Sequence, residues 1–121
     1  MASDFITIQA YQAIVLVAIR RTRLIDVREI TEVAQVLQKQ IDCHPKISLV
    51  LDLSQVQAMS SQMLAKLVAV HKAVVRDRGR LALAGVDKQL MPLFKTTRLH
   101  KVFDFYPDAE QVLLLYRRKP L

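Results

Sequence analysis

Short apolar runs alternate with amphipathic segments along most of this chain, and this alternation constrains the fold more than any other feature. Ile47 to Leu53 is rich in Ile, Leu and Val, Leu64 to Val75 carries apolar residues at helical spacing, and Leu81 to Val86 is a further apolar run. Strands that are separated by helices need crossover connections, which lead to a mostly parallel sheet. The alternation therefore predicts an α/β fold.

The segment before this alternation predicts an antiparallel edge for the sheet. Apolar and polar residues alternate over residues 4–9, and Ala13 to Ile19 is a continuous apolar run, so both are expected to be strands. A short turn at Tyr11 and Gln12 would join them as a hairpin. The second of these strands is expected to be central in the sheet.

Two longer amphipathic helices are predicted, with polar or small residues at their ends. Asp26, with Glu29 three positions later, is typical of a capping box and predicts a helix from about 27 to 42. Gly79 is expected to be the C′ residue of the second helix. The predicted apolar faces are Val27, Ile30, Val33, Ala34, Leu37 and Ile41 in the first helix, and Leu64, Leu67, Val68, His71 and Val75 in the second.

The last third of the chain predicts two more helices and one strand. Asp87 is a candidate N-cap, but Pro92 would remove a backbone donor within the helix that follows, so this helix either kinks or begins later. Val102 to Tyr106 is a short strand, and Asp108 with Gln111 predicts the start of a final helix. The predicted order is β-β-α-β-α-β-α-β-α, with about five strands and about four helices.

Length and composition bound the class of protein. With 121 residues, the chain can bury roughly two-thirds of its unfolded surface in one core, and we predict a single domain over residues 1–121. Cys43 is the one cysteine, so no intrachain disulfide is possible and a reducing cytoplasm is favoured. Ala13 to Ile19 is too short to cross a membrane, and we expect no membrane span.

The net charge of +7 arises from eighteen basic and eleven acidic residues. Such an excess can attract nucleic acid, an acidic membrane surface or an acidic protein partner, and it can equally be ordinary solvated surface at helix ends. Sheets that bind RNA place aromatic residues on their central strands. Here the aromatic residues lie mostly toward the chain ends, which argues against nucleic acid as a partner.

No catalytic or cofactor-binding constellation stands out in the sequence. His44, His71 and His100 lack metal-ligand spacing, and the two glycines do not form a phosphate-binding loop. Asp26 and Asp52 are interpreted as a helix cap and a strand end rather than as an acid–base pair. We therefore predict no catalytic residues, no metal site, no cofactor and no enzymatic activity.

Ser60 and Ser61 lie between the apolar run at Ile47 to Leu53 and the second long helix, at the expected carboxyl edge of the sheet. One interpretation is a plain N-cap, in which a hydroxyl accepts a hydrogen bond from the helix backbone. The other is phosphorylation, since a phosphoserine at a helix N-terminus meets free N–H groups and the positive end of the dipole. The two are compatible, because one serine can cap while its neighbour is modified.

Several segments together resemble the STAS domain, the anti-sigma factor antagonist family. Residues 51–56 and 59–64 are similar to its core motif, which reads roughly D-L-S-x-V-x-x-I/M-D-S-S/T-G-L. Residues 79–86 resemble its fourth strand, residues 94–103 a later family segment, and residues 24–26 its helix-entry aspartate. The resemblance covers nearly the whole chain and implies the STAS fold.

In that family the domain is a non-enzymatic switch that binds an anti-sigma factor. The anti-sigma factor is a serine kinase related to histidine-kinase ATPases, and a serine phosphatase reverses its action. The resemblance implies that Ser61 is the phosphoacceptor, with Ser60 as the alternative. The implied partner-binding surface consists of Asp26, Asp52, Ser60, Ser61, Gln62 and Met63.

The sequence departs from the motif at three positions. Ser60 stands where the family has aspartate, and Met63 and Arg98 stand where it has glycine. The missing aspartate favours a second hypothesis, since similar domains also serve as constitutive subunits of phospholipid-transport ABC complexes or as scaffold units of stress-signalling assemblies.

Overall fold

A computed structural model describes residues 4–121, and it has a five-stranded main sheet in the order β1-β2-β4-β6-β7. Two further strands, β3 and β5, pair as a separate parallel ribbon. The strands are β1 (Ile6–Tyr11), β2 (Ile14–Ile19), β3 (Arg23–Leu24), β4 (Ser48–Asp52), β5 (Ala58–Met59), β6 (Arg80–Ala84) and β7 (Asp104–Tyr106).

Four α-helices alternate with these strands: α1 (Val27–Cys43), α2 (Ser61–Arg76), α3 (Met91–Thr96) and α4 (Ala109–Arg118). A 3₁₀ turn, Leu99–Lys101, follows α3. β1 pairs antiparallel with β2, and the other pairs of the main sheet are parallel. The predicted α/β fold, with its mostly parallel sheet, antiparallel N-terminal edge and four helices, is confirmed. One domain over residues 1–121 stays a prediction, and residues 1–3 lie outside the described part.

The helices cover the two faces of the sheet unequally. The larger core packs α1, α2 and α3 against one face, while α4 packs alone on the other face through Val112 and Tyr116. The central strand β4 contributes to both cores, since Leu49 and Leu51 face one side and Val50 the other. Burial on both faces explains why this strand is a nearly continuous apolar run in the sequence.

The predicted apolar faces of α1 and α2 are each wrong at one end. Val27 is 58% exposed, because it opens α1 at the edge of the core. Val75 is 55% exposed, whereas Val70 and Val74 are buried. The buried stripe of α2 follows Val70 to Val74, and one residue further along a helix turns the side chain by about 100°.

The third helix begins late, as the position of Pro92 allowed. Asp87 does not cap α3; its carboxylate accepts a hydrogen bond from Gln89 N at 2.7 Å and closes a turn before the helix. α3 starts at Met91, so Pro92 falls in its first turn, where a missing N–H leaves no carbonyl unpaired. By contrast Asp108 caps α4 as predicted, accepting from Gln111 N at 2.9 Å.

Gly79 has a role other than the predicted one. The left-handed residue after α2 is Arg78, with φ 61°, so the assignment of Gly79 as C′ is wrong. A Cβ atom at Gly79 would lie 2.5 Å from the carbonyl oxygen of Ile47. Glycine is therefore required at this position because the chain entering β6 passes close to the chain entering β4.

The chain places four non-glycine residues in the left-handed region: Gln12, Lys46, Arg78 and Arg98. Each such residue carries a steric penalty of about 1–2 kcal/mol relative to a right-handed conformation. Arg98, with φ 62° and ψ 14°, precedes the 3₁₀ turn and occupies the position where the family motif has glycine. The backbone there keeps a conformation that suits glycine.

Replacing Arg98 by glycine should therefore stabilise the protein. We expect Arg98→Gly to raise the free energy of unfolding by about 0.5–1 kcal/mol, because relief of the left-handed strain outweighs the added chain entropy of the unfolded state. Urea unfolding followed by circular dichroism measures the change. The matched control is Lys95→Gly within α3, which should destabilise by about 1 kcal/mol; equal effects of the two substitutions would contradict the explanation.

Candidate functional site

The ribbon of β3 and β5 places the N-termini of α1 and α2 side by side. Leu24 pairs with Met59, and Ser60 N donates to the carbonyl of Leu24 at 3.3 Å. α1 begins three residues after Leu24, and α2 begins two residues after Met59. Leu24 and Met59 are both buried, so the ribbon is anchored in the main core. The first residues of α1 and α2 therefore lie side by side, directly after the ribbon.

Asp26 is the N-cap of α1, as predicted. Its Oδ1 accepts hydrogen bonds from Arg28 N at 2.8 Å and Glu29 N at 3.3 Å, and its backbone is extended. Glu29 does not complete a capping box, because its carboxylate binds Arg21 Nε at 2.6 Å. This hydrogen bond raises the pKa of the Arg21 guanidinium. The carboxylate of Asp26 thus stabilises the helix start.

Ser60 and Ser61 have different environments although they are adjacent. Ser60 is the half-buried N-cap of α2, and its Oγ accepts from Met63 N at 3.2 Å. Ser61 is the first residue of the helix and is exposed. Within residues 4–121 its hydroxyl has no hydrogen-bond partner. The hydroxyl of Ser60 therefore caps α2 through a hydrogen bond, whereas the hydroxyl of Ser61 is accessible to solvent.

Gln62 and Met63 follow in the first turn of α2 and point in opposite directions. Gln62 is exposed, but Met63 is fully buried in the main core. The expectation that Met63 belongs to a contact surface is therefore wrong, since its side chain packs into the main core beneath α2. Asp52 is half-buried at the end of β4, and its Oδ1 accepts from Ser54 N at 2.9 Å. Its hydrogen bond shapes the loop after β4.

Sequence reasoning missed an apolar part of this surface. Ile25 is 47% exposed and Val27 is 58% exposed, and they flank Asp26 at the start of α1. Their apolar character was misleading in the sequence, because Val27 continues the helical spacing of the buried residues. Exposed Arg20, Arg23 and Arg28 add positive charge to the same segment. We refer to Ile25, Asp26, Val27, Ser61 and Gln62 as the switch surface.

Within residues 4–121, no group of three or more His, Cys, Asp or Glu side chains is placed to hold a metal ion. His71 lies against the edge of the Phe103 ring, with centroids 5.4 Å apart, which makes it a packing residue at the rim of the core. No helix within the same residues combines the length and apolar character needed to cross a membrane.

Solved structures share this fold, and three illustrate its range. The anti-sigma-factor antagonist (STAS) domain protein from Planctomyces limnophilus has a TM-score of 0.81 and 20% identity, covering 94% of this chain and 98% of that chain. The Bacillus cell fate determinant SpoIIAA in its phosphorylated form has a TM-score of 0.70 and 10% identity, covering 91% and 98%. Murine Solute Carrier 26 family member A9, an anion transporter, has a TM-score of 0.76 and 12% identity, covering 92% and 19%.

The mixed sheet with its antiparallel first strand thus places this chain in a class of α/β domain found both alone and within larger proteins. The sequence model of the STAS domain matches residues 6–112, and this chain belongs to the STAS domain family. A comparison with curated proteins finds no match. The family predicted from the sequence motifs is confirmed.

The two serines should differ in their contribution to stability. Ser60→Ala removes the acceptor for Met63 N, and we expect a loss of about 1 kcal/mol in the free energy of unfolding. Ser61→Ala removes a hydroxyl that caps nothing and should change stability by less than about 0.5 kcal/mol. Urea unfolding of both variants makes the comparison, and a larger loss for Ser61→Ala would reverse the assignment of the cap.

Proposed function

We propose that this chain is a partner-switching regulator of the anti-sigma factor antagonist kind, controlled by reversible phosphorylation of Ser61. The observation that carries the proposal is the separation of roles at the start of α2. Ser60 caps the helix, which leaves the exposed hydroxyl of Ser61 free to react. A protein of the same fold, SpoIIAA, has been solved in a phosphorylated form, which supports the proposal.

A phosphate on Ser61 is compatible with the fold. Ser61 is the first residue of α2, so its phosphate would lie near backbone N–H groups that have no partner within the helix and near the positive end of the dipole. The first turn of α2 contains no acidic residue that would repel it. The helix start is therefore expected to persist when Ser61 is modified, and the change is confined to the surface charge.

The same phosphate would oppose binding of an apolar partner surface. It adds a charge of roughly −1.5 to −2 beside the exposed side chains of Ile25 and Val27. Burying such a charge against an apolar partner without a compensating cation is strongly unfavourable. Phosphorylation at Ser61 would thus release the partner without unfolding this chain, which is the behaviour required of a switch.

The partner in this proposal is an anti-sigma factor that is also a serine kinase of the histidine-kinase ATPase type. In the kinase reaction, Ser61 Oγ attacks the γ-phosphorus of ATP, its proton passes to a base of the kinase, and ADP leaves. A serine phosphatase hydrolyses the phosphoserine. This chain acts as substrate and ligand in the cytoplasm and supplies no catalytic group, and its effect on transcription follows from sequestering the anti-sigma factor.

Phosphopeptide mapping tests the acceptor. After incubation with ATP and the switch kinase encoded in the same genome, the wild-type chain and Ser60→Ala should both be phosphorylated at Ser61, while Ser61→Ala should not be modified. The reason is that, of these two adjacent serines, Ser61 is the one whose hydroxyl is exposed and has no structural hydrogen bond. Phosphate on Ser60 in the wild-type chain, or undiminished modification of the double Ser60→Ala, Ser61→Ala variant, would contradict the proposal.

A second set of variants tests the docking side of the switch surface. Ile25→Ala should weaken binding of the unphosphorylated chain to its kinase partner about tenfold, because a half-exposed apolar side chain beside the acceptor is suited to be an interface anchor. Val75→Ala is the matched control, since Val75 is also exposed but lies at the far end of α2. Calorimetric titration measures both, and equal losses would argue against this surface.

A constitutive structural role is the second candidate, and one observation favours it. Ser60 replaces the motif aspartate, so the negative charge beside the acceptor is absent. In the murine anion transporter, the matching region is only 19% of the chain, so this fold also occurs as one part of a longer polypeptide. A subunit of a phospholipid-transport ABC complex or a stress-signalling scaffold should still co-purify with its assembly when it carries Ser61→Glu. Loss of that association, with retention by Ser61→Gln, would favour the switch.

A further inference from the structure

An open cleft of about 620 Å³ lies at the amino edge of the sheet, at the opposite end of the strands from the switch surface. The first residues of three adjacent strands line it: Ile14 of β2, Ser48 of β4 and Arg80 of β6. Its volume falls within the range of small-molecule sites. The proposed switch does not use this cleft.

Arg80 is held rigidly in the cleft. Its Nε donates to Ser48 Oγ at 2.8 Å, and one terminal nitrogen donates to the carbonyl of Tyr116 at 3.3 Å. The guanidinium carbon lies 3.9 Å from the centroid of the Tyr116 ring. Ser48 is only 3% exposed, so the group that orients Arg80 is itself fixed by the core. These contacts use two of the five N–H donors of the guanidinium and leave three.

The basic side chains of the cleft form no ion pair among the described residues. Among residues 4–121, no carboxylate lies within salt-bridge distance of Arg80. Lys46 and Arg117 also line the cleft, and its described lining contains no Asp or Glu. Burial raises the pKa of the Tyr116 phenol well above its usual range, so this group adds no negative charge at neutral pH. Three basic residues therefore line one partly enclosed space.

Apart from Gln12, the rest of the lining is apolar or aromatic. Tyr11, Ile14, Pro45 and Leu121 contribute to the walls, and the Tyr11 ring lies 5.6 Å from the guanidinium of Arg117. A planar, preoriented guanidinium suits the two oxygens of a carboxylate or phosphate, which it binds through paired hydrogen bonds. Tyrosine rings and aliphatic walls suit an apolar or aromatic body.

From this arrangement we propose that the cleft binds a small organic anion. The carboxylate or phosphate of this ligand binds Arg80, and its apolar or aromatic body lies between Tyr11 and Pro45. This site is independent of the proposed switch, because its residues lie at the other edge of the sheet. Ser61→Ala should therefore leave binding unchanged. A failure of either proposal leaves the other intact.

Protein-observed NMR with two probes, phenyl phosphate and benzoate, tests the site. We expect at least one probe to bind saturably with a Kd of about millimolar, the range set by the size of such ligands. The resonances that shift should be the Nε–H of Arg80 and the amides of Lys46 and Ser48. Inorganic phosphate has the anionic group without an aromatic ring, and phenol has the ring without the anionic group. Each should bind at least about tenfold more weakly than the probe that binds.

Matched variants separate the cleft from general surface charge. Arg80→Lys keeps the charge but loses the planar donor pair, and it should weaken probe binding about tenfold. Arg117→Gln at the rim should weaken it several-fold, whereas Arg118→Gln, next along the chain but outside the cleft, should not. If Arg80→Lys does not fold, the comparison of Arg117→Gln with Arg118→Gln still tests the site. Equal effects of that pair, shifts spread over all basic clusters, or no saturable binding of either probe would overturn the proposal.

Discussion

The parallel pairing of β3 with β5 is the contact on which the candidate site depends. Each strand has only two residues, yet Leu24 and Met59 are buried and join the two segments that enter α1 and α2. Because the helices begin two or three residues later, this pairing places Ile25 and Val27 beside the serine pair. Without it, the two helix starts would be positioned only by the packing of α1 and α2 on each other and on the sheet, which restricts sliding of the helices less.

The sequence predicted the parts of the fold that have a period or a specific cap. β2, β4 and β6 were visible as apolar runs, and the caps Asp26 and Asp108 as acidic residues before amphipathic segments. The β3–β5 ribbon was missed because two residues cannot display a period. Gly79 was misassigned because a glycine after a helix is ambiguous: it can supply a left-handed turn or, as here, space for a neighbouring carbonyl.

The three departures from the family motif have different physical meanings in the structure. Ser60 replaces an aspartate at an N-cap, and because serine caps about as well as aspartate, the helix start is kept while a negative charge is lost. Met63 replaces a glycine but is buried, so its bulk adds to the core instead of obstructing the surface. Arg98 replaces a glycine in the left-handed region and stores strain. The first departure changes electrostatics near the proposed acceptor, and the other two change stability.

The two proposed sites lie near opposite ends of one strand, β4, and we expect them to act independently. β4 runs from Ser48 at the cleft to Asp52 below the switch surface, a distance of about 13 Å for an extended strand. It is hydrogen-bonded on both sides and its residues up to Leu51 are buried, so a displacement of β4 would break the pairing with both neighbouring strands. Since substitutions at sites this far apart are normally additive, changes at the two edges should combine without coupling. Any communication between them would require movement of α2 or α4 as a whole, because only the helices that cover β4 can shift without breaking the sheet.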